Sequence, residues 1–131
     1  MKDAENELFT TVATALREQF PGIFVTGDTT AAPSKFPCVF FEETDHYSDQ
    51  GNMDTGDDER VVNLTYRADV FSNKTSGGKS EAKTIENAIW EILYQHNFTR
   101  FSNTPINDME KIHHRVATYR VKWDGNCFYR I

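Results

Sequence analysis

The sequence predicts a single α+β domain in which two helices pack against a largely antiparallel β-sheet, in the order α-β-β-β-α-β-β. Two segments carry apolar residues at helical spacing, whereas several others alternate apolar and polar residues with the period of a strand. Strands and helices do not alternate regularly, as they would around a parallel sheet. A chain of 131 residues, of which 38% are hydrophobic, has room for one core, so residues 1–131 are predicted to form one domain.

The N-terminal third predicts a helix followed by two strands. The helix covers residues 6–19 and ends at Pro21-Gly22. Its buried stripe is formed by Leu8, Phe9, Val12, Leu16 and Phe20. Residues 23–26 predict a short strand. Residues 37–43 predict an interior strand, because their first half is apolar on both alternating faces.

The middle of the chain predicts a long strand and a second helix. Residues 60–71 alternate with period two, which predicts a half-exposed antiparallel strand. One face carries Val62, Leu64, Tyr66, Ala68 and Val70, and the other carries Asn63, Thr65, Arg67 and Asp69. Residues 80–95 return to helical spacing, with Ser80 as the predicted N-cap and Trp90 at the edge of the buried face. We expect Leu16, Leu64, Tyr66, Ile89 and Trp123 to belong to the core.

The C-terminal part predicts a strand and a hairpin. Ala117, Tyr119, Val121 and Trp123 share one face of the strand, whereas Ile112, His114 and Val116 follow the opposite parity, which predicts a β-bulge near Val116. Asp124-Gly125 predicts a two-residue turn into a strand over residues 127–130. A weaker strand is predicted over residues 98–102.

Composition restricts the classes of function. The chain has 14 Lys and Arg against 20 Asp and Glu, a net charge of -6, which argues against nucleic-acid binding by bulk charge. No apolar run reaches the length of a membrane span, and no export signal is found, so we expect a protein made in the cytoplasm. Cys38 and Cys127 are predicted to be buried free thiols.

No motif predicts an enzyme, a cofactor or a metal site. Residues 73–80 (NKTSGGKS) end like a phosphate-binding P-loop, but Asn73 stands where that loop needs its first glycine, so a turn into the second helix is the better interpretation. His113 and His114 are neighbours and point to opposite faces of a strand, which prevents them from sharing a metal ion. No pairing of a nucleophile with a base is indicated.

The acidic residues are concentrated in one stretch. Residues 42–59 contain eight acidic residues and no Lys or Arg. We expect a mobile acidic loop at about residues 46–59, either a solvated hairpin tip or a loop that acts beside other copies of the chain. The loop residues considered for assembly or for lining a channel are Asp49, Asp54, Asp57, Asp58 and Glu59.

Several stretches, taken in their order along the chain, resemble the tail terminator or tail-completion proteins of long-tailed phages and prophages of Gram-positive bacteria. These stretches are residues 20–26 (FPGIFVT), 32–39 (APSKFPCV), 66–74 (YRADVFSNK) and 78–83 (GKSEAK), together with residues 98–100 and the ending 129–130. The resemblance extends over almost the whole chain, although none of these stretches is a chemical motif. It implies a β-sheet with packed helices and no catalytic residues.

The resemblance also implies a function in the virion. Such proteins form a ring, expected to be six-fold, that stops growth of the tail tube and forms the tail side of the joint with the head. The implied partners are other copies of the chain, the major tail tube protein and a neck or head-completion protein, with DNA as passing cargo and no membrane. Assembly would take place in the cytoplasm of the bacterial host, and the mature location would be the tail or neck of the virion.

Ring contacts between identical subunits must join two different patches. The C-terminal hairpin is a candidate patch, through Asp124, Gly125, Phe128 and Tyr129. Two alternatives to a tail terminator remain: a neck or head-completion protein of the same region of the virion, and a small host regulatory or enzyme domain.

Overall fold

The computed structural model describes residues 5–27, 35–48, 61–106, 111–124 and 127–131, which form two helices and six strands. The helices are α1 (Glu5–Gln19) and α2 (Gly78–Tyr94). The strands are β1 (Phe24–Thr26), β2 (Cys38–Ser48), β3 (Val62–Ser72), β4 (Thr99–Ile106), β5 (His113–Trp123) and β6 (Phe128–Tyr129). The predicted fold class and element order are confirmed, and the weaker strand over residues 98–102 proves to be the eight-residue β4.

All six strands belong to one sheet, in the order β1-β2-β3-β5-β4, with β6 also paired to β5. Only β1 and β2 are parallel; the other pairs are antiparallel. β3 and β5 pair without interruption, from Val62 opposite Trp123 to Ser72 opposite His113. β4 and β6 lie one after the other along the outer side of β5.

The main core lies between the helices and one face of the sheet. The five predicted core residues are all buried there: Leu16, Leu64, Tyr66, Ile89 and Trp123. Phe41 stacks on Tyr66 with ring centroids 5.4 Å apart, and Phe98 meets Tyr66 edge-on at 5.8 Å. Trp90 packs against this core while partly exposed, as predicted from its place beside the apolar stripe.

The other face of β3 was predicted to be polar and half-exposed, and this is wrong for much of its length. Thr65, Asp69 and Phe71 are all buried. Phe71 forms a second apolar cluster with Cys38 and Phe40, and these residues are packed against Phe24, Phe36 and Ile112. A small second core therefore covers part of the face opposite the helices.

This second core explains the parity change that had predicted a bulge near Val116. β5 stays in register with β3 throughout, so there is no bulge at that position. His114 instead belongs to the second face, where its ring stacks on Phe71 with centroids 4.2 Å apart. The register shifts fall in the strands on either side of the β3–β5 pair, between Glu43 and Asp45 in β2 and between Arg100 and Ser102 in β4.

The start of α2 also differs from the prediction. Its N-cap is Gly77, with a φ of 78°, and not Ser80. Gly78 is buried against the sheet, and a Cβ atom there would lie 2.5 Å from the His113 ring. The turn therefore requires glycine at Gly77 for its backbone conformation and at Gly78 for its close packing.

The two cysteines lie in different environments. Cys38 is buried, and this burial raises the pKa of its thiol to about 11. Cys127 is exposed, which corrects the prediction of two buried thiols. It lies in the turn between β5 and β6, where four residues, Asp124 to Cys127, connect the strand partners Trp123 and Phe128. The Asp124 backbone N–H donates to the Cys127 carbonyl at 3.2 Å, and Gly125 of the predicted turn lies outside the described residues.

Neither helix of the described chain combines the length and apolarity that crossing a bilayer requires.

Truncation of the core is expected to destabilise the fold strongly. Leu64→Ala and Ile89→Ala each remove a fully buried side chain, which should cost about 2–5 kcal/mol of unfolding free energy. Urea denaturation of the purified variants measures this loss. Thr84→Ala, on the exposed side of α2, is the control and should change stability by less than about 0.5 kcal/mol. Wild-type stability in both core variants would contradict the assigned faces.

Candidate assembly surface

The two sides of the sheet carry opposite charge. β2 contains three acidic residues and no Lys or Arg, and only the short β1 lies outside it. β4 and β5, on the other side, contain four basic residues and no Asp or Glu. We call these sides the acidic edge and the basic edge. The acidic edge comprises Glu42, Glu43 and Asp45, and the basic edge comprises Arg100, Arg115, Arg120 and Lys122.

Contacts with the core hold the acidic edge in place. Tyr66 donates a hydrogen bond to the Glu43 carboxylate, with an O–O distance of 3.0 Å. The backbone N–H of Glu43 donates to the Glu5 carboxylate at 2.8 Å, so a residue in the first turn of α1 satisfies this backbone donor of β2. Partial burial raises the pKa of Glu43; Tyr66 and His46 oppose that rise, and the negative charge of Glu5 adds to it.

The bulge after Glu43 sets the direction of the next side chains. Asp45 is exposed and pairs across the sheet with Thr65, which lies on the face away from the helices. Its carboxylate accepts a hydrogen bond from the His46 backbone N–H at 2.9 Å. Because β1 pairs only with Cys38, Val39 and Phe40, the later part of β2 has no strand on its outer side within the described residues.

The basic edge is fixed by a buried charge. Glu86 of α2 is fully buried, and its two carboxylate oxygens accept hydrogen bonds from Arg100 of β4 at 3.1 and 2.9 Å. Tyr119 of β5 donates a third bond to Glu86 at 2.8 Å. Burial and the Glu86 carboxylate raise the pKa of Tyr119 well above its ordinary value, so its hydroxyl stays protonated and remains a donor. This network ties α2, β4 and β5 together.

Two further arginines on the basic edge have contacts with β4. The Arg115 guanidinium donates to Asn103 at 2.6 Å. Arg120 is exposed, and its guanidinium lies 4.4 Å from the centre of the Phe101 ring. Phe101 is itself 50% exposed on the outermost strand. The edge therefore presents an apolar ring covered by a cation.

The C-terminal hairpin is anchored to the rest of the fold. Phe128 packs beside Phe98 and Trp123, and its carbonyl accepts a hydrogen bond from the Asn97 side chain at 2.9 Å. Tyr129 donates to Asp124 at 2.8 Å, which braces the turn. Of the residues predicted as a subunit contact, Asp124 and Tyr129 are exposed, Phe128 is partly buried, and Gly125 lies outside the described residues.

Exposed apolar side chains are found at this hairpin, at the end of α2 and on β4. Within the described part of the chain, the large apolar residues that are about half exposed are Tyr94, Phe101, Tyr129 and Ile131. The Arg130 guanidinium lies 4.4 Å from the centre of the Tyr94 ring, so it connects the tail of the hairpin to the end of α2. Tyrosine and arginine side chains of this kind are enriched at the centres of protein interfaces.

The residues proposed for the acidic loop lie outside the described residues; these are Asp49, Asp54, Asp57, Asp58 and Glu59. The ends of the connection are nevertheless placed. Ser48 pairs with Val62, Val62 pairs with Trp123, and Trp123 pairs with Phe128. The acidic connection and the C-terminal hairpin therefore start from the same end of the sheet.

The other sequence motifs have structural contacts. Ser72 donates to Glu81 at 2.7 Å, and Lys74 forms an ion pair with Glu81 at 2.9 Å, so residues 73–80 make the turn into α2. His113 is exposed and His114 is buried, as expected for neighbours on opposite faces. Among the residues that the structure describes, no three His, Cys, Asp or Glu side chains are grouped to bind a metal.

Comparison of the sequence with protein-family models and with curated proteins finds no significant match.

Loss of Arg100 is expected to be costly. Arg100→Met would leave the buried Glu86 charge without its cation, which should cost about 3–5 kcal/mol of unfolding free energy. The double variant Glu86→Met/Arg100→Met should recover most of that loss, because the unpaired charge is gone. Chemical denaturation of the two single variants and the double variant measures the coupling.

Lys83→Met is the matched control, since Lys83 is exposed on α2. It should change stability by less than about 0.5 kcal/mol. Equal stability of Arg100→Met and the wild type would show that the buried pair does not hold β4.

Proposed function

We propose that this protein is a structural component of a phage virion that caps the tail tube as a ring and forms the tail side of the head–tail joint. The observation that carries the proposal is the opposite charge of the two sides of its sheet. β2 carries only acidic charges on one side, and β4 and β5 carry only basic ones on the other. The resemblance of several sequence stretches to tail terminator proteins supports the kind of assembly, which is a ring on the tail tube.

Opposite charge on two sides of one subunit suits a ring. A closed ring of identical subunits needs a heterologous contact, in which one patch meets a different patch on the next copy. Electrostatic complementarity between such patches selects the partner and the orientation. A sheet with an acidic and a basic side can therefore join head to tail, whereas two acidic sides or two basic sides repel.

The remaining parts of the proposal come from the resemblance to tail terminator proteins. The ring would contact the major tail tube protein on one axial face and a neck or head-completion protein on the other, with DNA passing through the centre. The protein would be assembled in the bacterial cytoplasm and carried in the tail or neck of the virion. It would perform no catalysis and need no cofactor.

Disruption of the gene in the phage genome that encodes it tests the function. We expect tails that exceed their normal length and do not join heads, because nothing stops growth of the tube. Supply of the intact gene from a plasmid should restore tails of normal length, as measured in negative-stain micrographs. Tails of normal length beside unattached heads would identify a neck or head-completion protein instead. Normal virions would contradict both readings.

The acidic loop is expected to oppose ring formation at low salt, because the ring brings the like charges of neighbouring loops close together. Replacement of Asp49, Asp54, Asp57 and Asp58 by Asn removes four negative charges from each copy. Self-association should then strengthen at low ionic strength, and the difference from wild type should vanish at high salt, where exposed charges are screened. Sedimentation velocity at two salt concentrations measures both effects. Identical sedimentation of variant and wild type at low salt would contradict a function of the loop in assembly.

A further inference from the structure

The C-terminal end of α2 carries an exposed aromatic surface. Tyr94 is 52% exposed and Trp90 is partly exposed, and the two rings meet edge to face with centroids 5.4 Å apart. Together with Glu91 and Gln95 they line an open cavity of about 290 Å³. We call these four residues and the adjacent Arg130 the α2 patch; all five, and their neighbours along the chain, belong to the described residues. We propose that the α2 patch binds the same patch of a second copy in a two-fold symmetric dimer.

Contacts within the subunit fix the two aromatic rings. Trp90 stacks on the buried ring of Tyr119 with centroids 6.1 Å apart, and the Arg100 guanidinium lies 5.2 Å from the centre of the Trp90 ring. The Arg130 guanidinium lies 4.4 Å from the centre of the Tyr94 ring. Because these side chains are already held in place, they lose little rotamer freedom when a partner covers them.

The charges of the α2 patch are complementary to themselves. The Arg130 guanidinium donates to the Tyr94 carbonyl at 3.4 Å and to the Asn97 side-chain oxygen at 3.5 Å, and neither acceptor neutralises its charge. Glu91 is exposed one helical turn before Tyr94. In a two-fold contact, a residue that meets a second residue of the partner is itself met by its copy in return. Glu91 of each subunit would therefore pair with Arg130 of the other, around a centre formed by the four aromatic rings.

The aromatic rings and the charges would contribute in different ways. Exposed ion pairs add little affinity, so burial of Trp90 and Tyr94 would supply most of it. The two Glu91–Arg130 pairs would select the partner and set the orientation. The Arg100 guanidinium beside Trp90 is paired with the buried Glu86 carboxylate at 2.9 Å, so it does not make the two patches repel. Tryptophan, tyrosine and arginine are also the residues that most often dominate binding at protein interfaces.

This dimer contact is separate from the head-to-tail contact of the proposed ring. Arg120 and Lys122 of the basic edge pair across the sheet with Thr65 and Asn63, on the face away from the helices. The α2 patch lies on the helix side of the sheet, so a dimer through it does not bring those cations together. The contact uses no residue of the acidic edge. It can therefore form in the free protein whether or not the protein also forms a ring.

Charge reversal within the α2 patch tests the dimer. Glu91→Arg and Arg130→Glu each place like charges against one another twice in a homodimer, so each variant alone should dimerise at least about 10-fold more weakly than wild type. An equimolar mixture of the two should recover dimerisation as a heterodimer, because both pairs are then again of opposite charge. Sedimentation equilibrium at low salt gives the dimer constants, and native mass spectrometry distinguishes the heterodimer from the homodimers.

A third variant tests the aromatic centre. Tyr94→Ala leaves both charges in place and removes the most exposed ring, and it should also dimerise at least about 10-fold more weakly than wild type. Glu18→Arg and Arg17→Glu on exposed positions of α1 are the controls with matched changes in net charge, and both should dimerise like wild type. Thermal melting confirms that each variant is folded. If a reversal variant is unfolded, Glu91→Gln or Arg130→Gln takes its place, with weaker dimerisation than wild type still expected.

Several results would overturn the dimer. These are a wild type that stays monomeric at the highest concentration reached, a reversal variant or Tyr94→Ala that dimerises like wild type, and a mixture that forms no heterodimer. Larger assemblies of wild type that all three patch variants also form would show that copies associate through another surface. Disruption of the gene tests the proposed function independently, because overgrown tails are expected whether or not the free protein dimerises through α2.

Discussion

β3 is hydrogen-bonded along both of its sides, to β2 on one side and to β5 on the other, and this double pairing decides where the rest of the chain can lie. Its alternate side chains fix two faces, one covered by the helices and one partly covered by the cluster around Phe71. A shift of one residue in its register would exchange these faces. Because both faces are apolar over much of the length of β3, a shift in either direction would remove its side chains from both apolar clusters.

The buried carboxylate of Glu86 has a different effect. An ion pair inside a protein contributes little net stability, since both charges lose their hydration. Its geometric demand is strict, however, because Arg100 and Tyr119 must both reach the same group. The edge strand β4 is therefore held at one angle to α2. An interface built on that strand would start from a fixed surface and lose little conformational freedom on binding.

Local periodicity was enough to predict both helices, the presence of the six strands and the residues of the main core, although β2 continues to Ser48, five residues beyond its predicted end. It failed where long-range packing decides the answer. The parity of His114 suggested a bulge, because a second core on the far face cannot be inferred from one strand. Ser80 was predicted as the N-cap, because the close packing of Gly78 against His113 is a tertiary contact that the local sequence does not reveal. For the candidate site, the acidic edge was visible as a run of carboxylates. The basic edge was missed. A count of charged residues in each predicted strand would have revealed it, because the segments of β4 and β5 contain no acidic residue.

The order of the strands also affects how this chain folds. β3 finds its partner β5 only after α2 and β4 have been made, so the longest ladder of the sheet closes a long stretch of intervening chain. Contacts of this separation slow folding, because the entropy of loop closure is lost before the ladder forms. During synthesis on the ribosome, one side of β3 stays without its partner until β5 emerges. This interval exposes an apolar strand to aggregation, and at high expression it makes slow synthesis or a chaperone advantageous.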